Sequence, residues 1–329
     1  MKKIIKSGML LLIISAVMLV GPFSIAQVQA RTLVLGHGAA PGNPRSLAAD
    51  VFAKLVSAST GGNLTIDIQG SEKLGSDVEM LQAIQVGGLD LTANSQGPLG
   101  TFVPEVVLFG LPFLFIQPSD AWALLDGPIG DQMAALCEKK GFKVLAWWDN
   151  GIRQVSNNVR PIQKPEDLKG IKLRTPQDPM TIDIFKALGA NPTPLAFGEL
   201  YLALRQGTVD GQENPLVNIW ASKLYEVQKY ISMTGHKYEC TPFIISTNTW
   251  KSLSAEEQKA VQSAAKLAGT YQRLELVRQD GELRSKLEAA GVKINDVNKA
   301  PFRQATAGVY EQWKAKYPEM VDEIMKARK

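Results

Sequence analysis

The sequence predicts an α/β protein of two lobes. Three observations lead there. Short apolar strands alternate with amphipathic helices early in the chain, a β-α-β-α-β order that calls for a parallel sheet covered by helices. About 300 residues remain after an N-terminal leader, a length that usually divides into two domains. One helical pattern, over residues 254–290, would measure roughly 55 Å at 1.5 Å per residue. That is longer than one small domain and long enough to brace two.

The leader comes first. Lys2, Lys3 and Lys6 make a positive start, residues 9–20 are apolar but short for a membrane span, and Val28-Gln29-Ala30 offers small residues for cleavage. Residues 1–30 therefore read as a signal peptide of an exported, periplasmic protein. A retained membrane anchor is the alternative. No cysteine stands near the cleavage point, which argues against a lipid anchor.

Residues 33–35 predict the first strand, followed by a Gly/Pro-rich loop over 36–44. Apolar spacing predicts a helix over 47–58, and strict alternation predicts a strand over 64–68. A helix over 77–86 stops at Gly87-Gly88, and a strand follows at 89–92. Residues 103–115 are strongly apolar. A helix is expected over 121–140 and a strand over 143–147. A second α/β block opens near Gly151, with a strand at 171–173 and a helix after Pro179. Residues 195–215 read as a short amphipathic helix, a glycine turn, and Gln212-Glu213-Asn214-Pro215 in an extended loop. Pro215 biases Asn214 away from helical angles. Ser254-Ala255-Glu256-Glu257 fits a capping box at the head of the long helix. Gly269 and Gly281 are the points where that helix would bend or break.

Composition excludes several functions. The formal net charge of +4 falls to +1 once the three leader lysines go, because the leader holds no acids. No basic block interleaved with aromatics exists, so no nucleic-acid partner is expected. Gly36-His37-Gly38-Ala39-Ala40-Pro41 begins like a dinucleotide fingerprint but has proline where helix packing needs glycine. With two histidines, His37 and His236, and no nucleophile-elbow, zinc or phosphate-loop motif, neither a cofactor nor a metal is expected. Cys137 and Cys240 could form one disulfide or remain two buried thiols.

Candidate ligand-binding residues are few. Arg174 ends a predicted strand, and Arg153 follows Trp148-Asp149-Asn150-Gly151-Ile152. A guanidinium there can present a bidentate fork to a carboxylate, although an exposed ion pair is the commoner fate of arginine. Gln212 and Asn214 carry amides on the stiffened segment, with Phe197 and Trp220 on either side. Adjacent Trp147 and Trp148 face opposite sides of their strand, so one could reach a cleft. His37 is either a pocket contact or structural.

Several of these segments, in order and spacing, resemble the TRAP-type (tripartite ATP-independent) periplasmic solute receptors, the DctP-like family. They are Lys73-Leu74-Gly75, Met80-Leu81, Gly87-Gly88-Leu89-Asp90, the run Leu111-Pro112-Phe113-Leu114-Phe115, then Arg153, Arg174, Phe197 and Asp210-Gly211-Gln212-Glu213-Asn214-Pro215. The resemblance covers essentially the whole mature chain. It implies a two-lobed periplasmic-binding-protein architecture with hinge strands and a long helix spanning both lobes. Lobe I would hold residues 31–150 plus 239–278, and lobe II residues 151–238 plus 279–329. It further implies a small organic acid as ligand, closure of the lobes around it, and delivery to the permease subunits of a TRAP transporter by a monomeric receptor that does no chemistry.

By the same resemblance, Arg174 would clamp the carboxylate, Asn214 would hydrogen-bond it, Phe197 would wall it and Arg153 would add a second cation. The first lobe would contribute the loop at His37 and Gly38, the segment Asn94-Ser95-Gln96, and Asp77. Trp148, Gln177 and Trp220 complete the candidates. Asp178 could accept from a ligand hydroxyl or amino group, or cap a helix. The rival readings are an enzyme acting on a small acid through His37, Asp178 or Glu213, and an ABC-type receptor.

Overall fold

The computed structural model describes residues 30–328; the signal peptide expected over residues 1–30 lies, but for Ala30, outside the described residues. Nine strands form one sheet: β1 (Arg31–His37), β2 (Leu64–Gln69), β3 (Leu91–Ala93), β4 (Phe142–Asn157), β5 (Lys172–Thr175), β6 (Asn191–Pro194), β7 (Gly211–Asn214), β8 (Tyr230–Ser246) and β9 (Lys293–Asp296). Their order is β2-β1-β3-β8-β4-β7-β5-β6, with β9 beside β8.

Two long antiparallel strands make the sheet continuous. The C-terminal part of β8 pairs with β3, and its N-terminal part pairs with β9. β4 pairs with β8 along nearly its whole length and, at residues 154–157, with β7. Each long strand thus starts in one half of the molecule and ends in the other. Three register irregularities bend the pair, one of them between Asp149 and Gly151. Gly151 has φ +114°, a left-handed value that a side chain resists, and a Cβ there would stand 3.2 Å from Pro215. The bulge therefore needs glycine.

The helix Ala255–Ala289 is unbroken over 35 residues, with the Ser254–Glu257 capping box formed. Its first half buries Val261, Ala264, Ala265 and Ala268 against Phe52, Trp148 and Phe243. Its second half buries Leu276, Leu283 and Leu287 against Leu200, Leu204 and Ile219. So it braces both halves, as expected. Gly269 does not break it. A Cβ at that position would lie 2.7 Å from Trp148, so the glycine admits the indole ring instead. Beside it, Gln272 accepts from the Asp149 N–H and donates to the Asp149 carbonyl, both at 2.8 Å, which ties the helix to the bulge of β4.

Three expectations are corrected and one open alternative is decided. Residues 121–140 form two helices, Pro118–Leu125 and Pro128–Glu138, because Gly127-Pro128 ends one and starts the next. The strand expected at 143–147 runs on through Gly151 to Asn157. Gln212-Glu213-Asn214 is not a loop but β7, buried between β4 and β5. Cys137 and Cys240 are free thiols, both buried. At the C-terminus, helices Lys299–Ala305, Ala307–Lys316 and Pro318–Ala327 close the structure. Tyr310 donates to the Pro112 carbonyl and Trp313 to Asp183, so this segment grips residues far apart in the chain.

Candidate ligand-binding site

The carboxyl ends of β1, β3 and β5 point at one cleft, the place where open α/β sheets take ligands. Past β1 come Gly38 and Ala39, past β3 comes Ser95, and β5 delivers Arg174 with Pro176 and Gln177 beyond it. Leu195 and Phe197 close the cleft from the head of the helix Phe197–Gln206, and Asn214 enters from the end of β7. The cavity in the cleft is about 40 Å³. Polar contacts cross it: the Gly198 N–H donates to Glu72 at 2.6 Å, and Asn43 donates to Asn218 at 2.8 Å. The two walls are thus drawn together.

Arg174 is 3% exposed and makes no ion pair among the described residues. Its Nε and Nη2 both donate to the Leu195 carbonyl, at 2.9 and 2.7 Å, which fixes the plane of the guanidinium. Its Cζ lies 5.7 Å from the centre of the Phe197 ring. Burial lowers its pKa to about 10 despite Glu213 nearby, the mark of a cation short of a partner. Nη1 makes no hydrogen bond among the described residues and is available to an anion.

Arg153 is built differently. Its guanidinium grips Glu213 through Nε and Nη2 and Glu239 through Nη1, and Nη2 also reaches Asn214 at 3.2 Å. Burial alone would lower its pKa, but Glu213 and Glu239 carry it above the ordinary value. Against burial, Arg153 and His236 in turn pull Glu213 down to about 2. Arg153 lines the cleft with its charge already answered, so its first task is to hold β4, β7 and β8 together.

Gln177, Ser95, Asn214, Phe197, Arg153 and Arg174 all reach the cleft wall. Five other candidates do not, and each has a physical reason. His37 is 1% exposed behind the β1 loop, where its Nδ1 accepts from the Ala39 N–H; burial and Arg45 lower it to about 4, so it is neutral. Gln96 turns inward to accept from Cys240. Trp148 stacks on Phe243 at 4.3 Å in the core and donates to the Ala265 carbonyl. Asp178 caps the helix Pro179–Ala187 and pairs with Lys237, the cap reading of that residue. Trp220 stacks on Tyr225, away from the cleft.

Sequence reasoning passed over Arg45, Glu72, Asn43, Asn218 and Glu239, all on the wall. One signal for Arg45 was present. A cation in the first turn of a helix opposes the helix dipole, so something else must hold it there. It is 5% exposed, 2.9 Å from the Thr241 hydroxyl, and forms no ion pair among the described residues. Asp77, named among the first-lobe candidates, also lines the cleft.

Comparison with known proteins agrees with this geometry. Residues 35–316 match the family described as bacterial extracellular solute-binding protein, family 7 (DctP). The chain is 50% identical over 281 residues to the uncharacterised protein y4mM of Sinorhizobium fredii; this covers 85% of the chain but only 52%, about half, of that longer relative. It is 36% identical to the 2,3-diketo-L-gulonate-binding periplasmic protein YiaO of Escherichia coli K12, covering 86% of this chain and 87% of that one. Among solved structures, the sugar acid binding protein DctPAm of Advenella mimigardefordensis, in complex with galactonate, superposes with a TM-score of 0.89 at 34% identity, over 91% of this chain and 98% of that one. The chain is therefore a member of the DctP family of TRAP periplasmic solute-binding proteins.

Proposed function

We propose that this protein is a periplasmic receptor that captures a small organic acid between two closing lobes. It then hands the ligand to the membrane subunits of a TRAP transporter, which spend an ion gradient. The observation that carries the reading is Arg174: a buried guanidinium, fixed by the Leu195 carbonyl and Phe197, with one nitrogen free and no carboxylate of its own. A ligand carboxylate is the partner it lacks. Asn214, Phe197, Ser95 and Gln177 would complete the contacts, and Arg153 would act mainly through Asn214.

The partition into residues 31–150 plus 239–278 and residues 151–238 plus 279–329 is part of the proposal. Its first two crossings fall at the Asp149–Gly151 bulge and at the facing Glu239 and Cys240 of β8. The third falls within the long helix. Closure would bend those strands while ligand contacts favour the closed state. The receptor acts as a monomer and does no chemistry. Of the groups named for an enzyme, His37 is walled off and Asp178 and Glu213 are held by Lys237 and Arg153.

A thermal-shift screen of refolded mature protein against small acids tests this. Refolding strips any ligand carried through purification. Ligand at about 100 times its Kd adds roughly 2.7 kcal/mol of stability. A carboxylate-dependent shift is expected; no shift across a broad acid library would remove the reading.

A further inference from the structure

Opposite Arg174 the cleft carries two carboxylates whose inner oxygens have no partner. Glu72 Oε1 and Asp77 Oδ1 are both sealed from solvent and accept no hydrogen bond among the described residues. Both line the cleft. They also converge. A Cβ built on Gly38 would stand 3.3 Å from Glu72 Oε1 and 3.5 Å from Asp77 Oδ1, so the missing side chain leaves a gap that both acceptors face. Glu72 is held there at some cost to the backbone: Ser71 and Glu72 have φ values of 59° and 56°, the left-handed region, although neither is glycine. Its other oxygen, Oε2, takes the Gly198 N–H at the head of the helix Phe197–Gln206. A Cβ on Gly198 would come within 2.5 Å of that oxygen, so the close approach requires glycine.

Charge is the second consideration. Arg153 and Lys237 are answered by Glu213, Glu239 and Asp178, three acids to two cations. That leaves Arg45 and Arg174 to balance Glu72 and Asp77. A ligand with one carboxylate already adds to the negative side. A second carboxylate would add again, next to two acids that have nothing to share. Burial and Asp77 hold Glu72 up to about 7, and burial also raises Asp77, as expected where negative charge is already crowded. Neutral donors would satisfy both oxygens without that cost. A ligand ammonium would meet Arg45, whose charge already lies against Asp77.

Resting on the receptor reading above, we infer that Glu72 is a specificity-determining residue: with Asp77 it forms an acceptor pair that demands hydroxyl groups on the captured acid and turns away a second carboxylate. The ligand class is then a monocarboxylic acid bearing hydroxyls. Glu72 also joins ligand choice to closure, since its outer oxygen draws in the helix that carries Phe197.

Two series of equal carbon count test it by titration calorimetry on refolded protein. The four-carbon series is erythronate, succinate, 4-aminobutyrate and butyrate; the six-carbon series is gluconate, adipate, 6-aminohexanoate and hexanoate. In at least one series the hydroxy acid should bind at least tenfold tighter than its three counterparts. E72Q keeps an oxygen for the Gly198 N–H but places an amide donor in the cleft. It should cut the preference for hydroxy acid over dicarboxylate at least tenfold, with an apo melting temperature no lower than wild type. A diacid, amino acid or plain acid that equals the hydroxy acid overturns the inference and leaves the receptor reading standing. An unchanged preference in E72Q overturns the role of Glu72. Failure of every acid to bind overturns both.

Discussion

Truncating Arg174 to alanine separates a ligand anchor from a structural arginine, because the two roles move different quantities. The guanidinium is 3% exposed and has no ion pair. A charge-assisted hydrogen bond to it is worth about 1.5–3 kcal/mol. Removing it also strands the ligand carboxylate in a dry site, and truncations of one partner in such pairs cost about 2–5 kcal/mol. Together these give about 3–4 kcal/mol, or two to three powers of ten in Kd. Stability should respond in the opposite sense. The pKa of Arg174, lowered to about 10 by burial, says that the fold does not repay the charge. Arg174→Ala should therefore leave the ligand-free melting temperature unchanged or slightly raised. Arg174→Lys should still bind at least tenfold more weakly, since a point charge cannot replace a fork held in plane by Leu195. Calorimetric titration with the best acid, run beside ligand-free melts, reads both effects. Binding within threefold of wild type would remove Arg174 from the site. A large loss of ligand-free stability would make it a structural residue.

Arg153→Ala should do the reverse: it leaves Glu213 and Glu239 buried without their cation, so urea unfolding should show a loss of about 3–5 kcal/mol, and a loss below 1 kcal/mol would contradict the ion-pair account. Gln272→Ala unpairs the buried N–H and carbonyl of Asp149, which should cost about 2–4 kcal/mol in the same assay; a neutral result would mean the bulge does not depend on the long helix. Glu72 sets a pH dependence. Its folded-state pKa of about 7 is raised from the ordinary 4.5, so its contribution to stability is full below 4.5 and is lost as pH rises through 7. Wild type should thus lose stability relative to E72Q between pH 5 and pH 8, and parallel melting curves across that range would refute the assignment.

How far the sequence carried this reading depends on where its patterns were apolar. The long helix was legible because Ser254 and Glu257 announce its start and apolar residues recur at helical spacing. β1 was legible as a short apolar run and β2 from its alternation. β8 was not, since Gly235-His236-Lys237-Tyr238-Glu239-Cys240 mixes charges into a strand that is almost wholly buried. Its polar residues pair with others far along the chain, Lys237 with Asp178 and Glu239 with Arg153, and no local period records that. The same reason hid β7: Gln212 donates to Ser156, so a central strand looks like a loop. In the site, Arg174, Asn214 and Phe197 came from the family resemblance, and the fold brings them to one wall. Glu72 was missed because its partner Gly198 lies across the cleft, and Arg45 because its partner Thr241 is far along the chain, where sequence distance says nothing. Trp148 and Trp220 were drawn to the site by their size and proximity, yet Trp148 sits in the core and Trp220 packs half-buried on Tyr225.

The central claim is capture of an acid without turnover. Its most direct test is a titration of refolded wild-type protein with the acid that gives the largest thermal shift, followed by NMR of the ligand recovered afterwards. One ligand should bind per chain, its heat of binding should disappear in Arg174→Ala, and the ligand should be recovered unchanged. A product in the recovered pool, or binding that survives loss of Arg174, would contradict it.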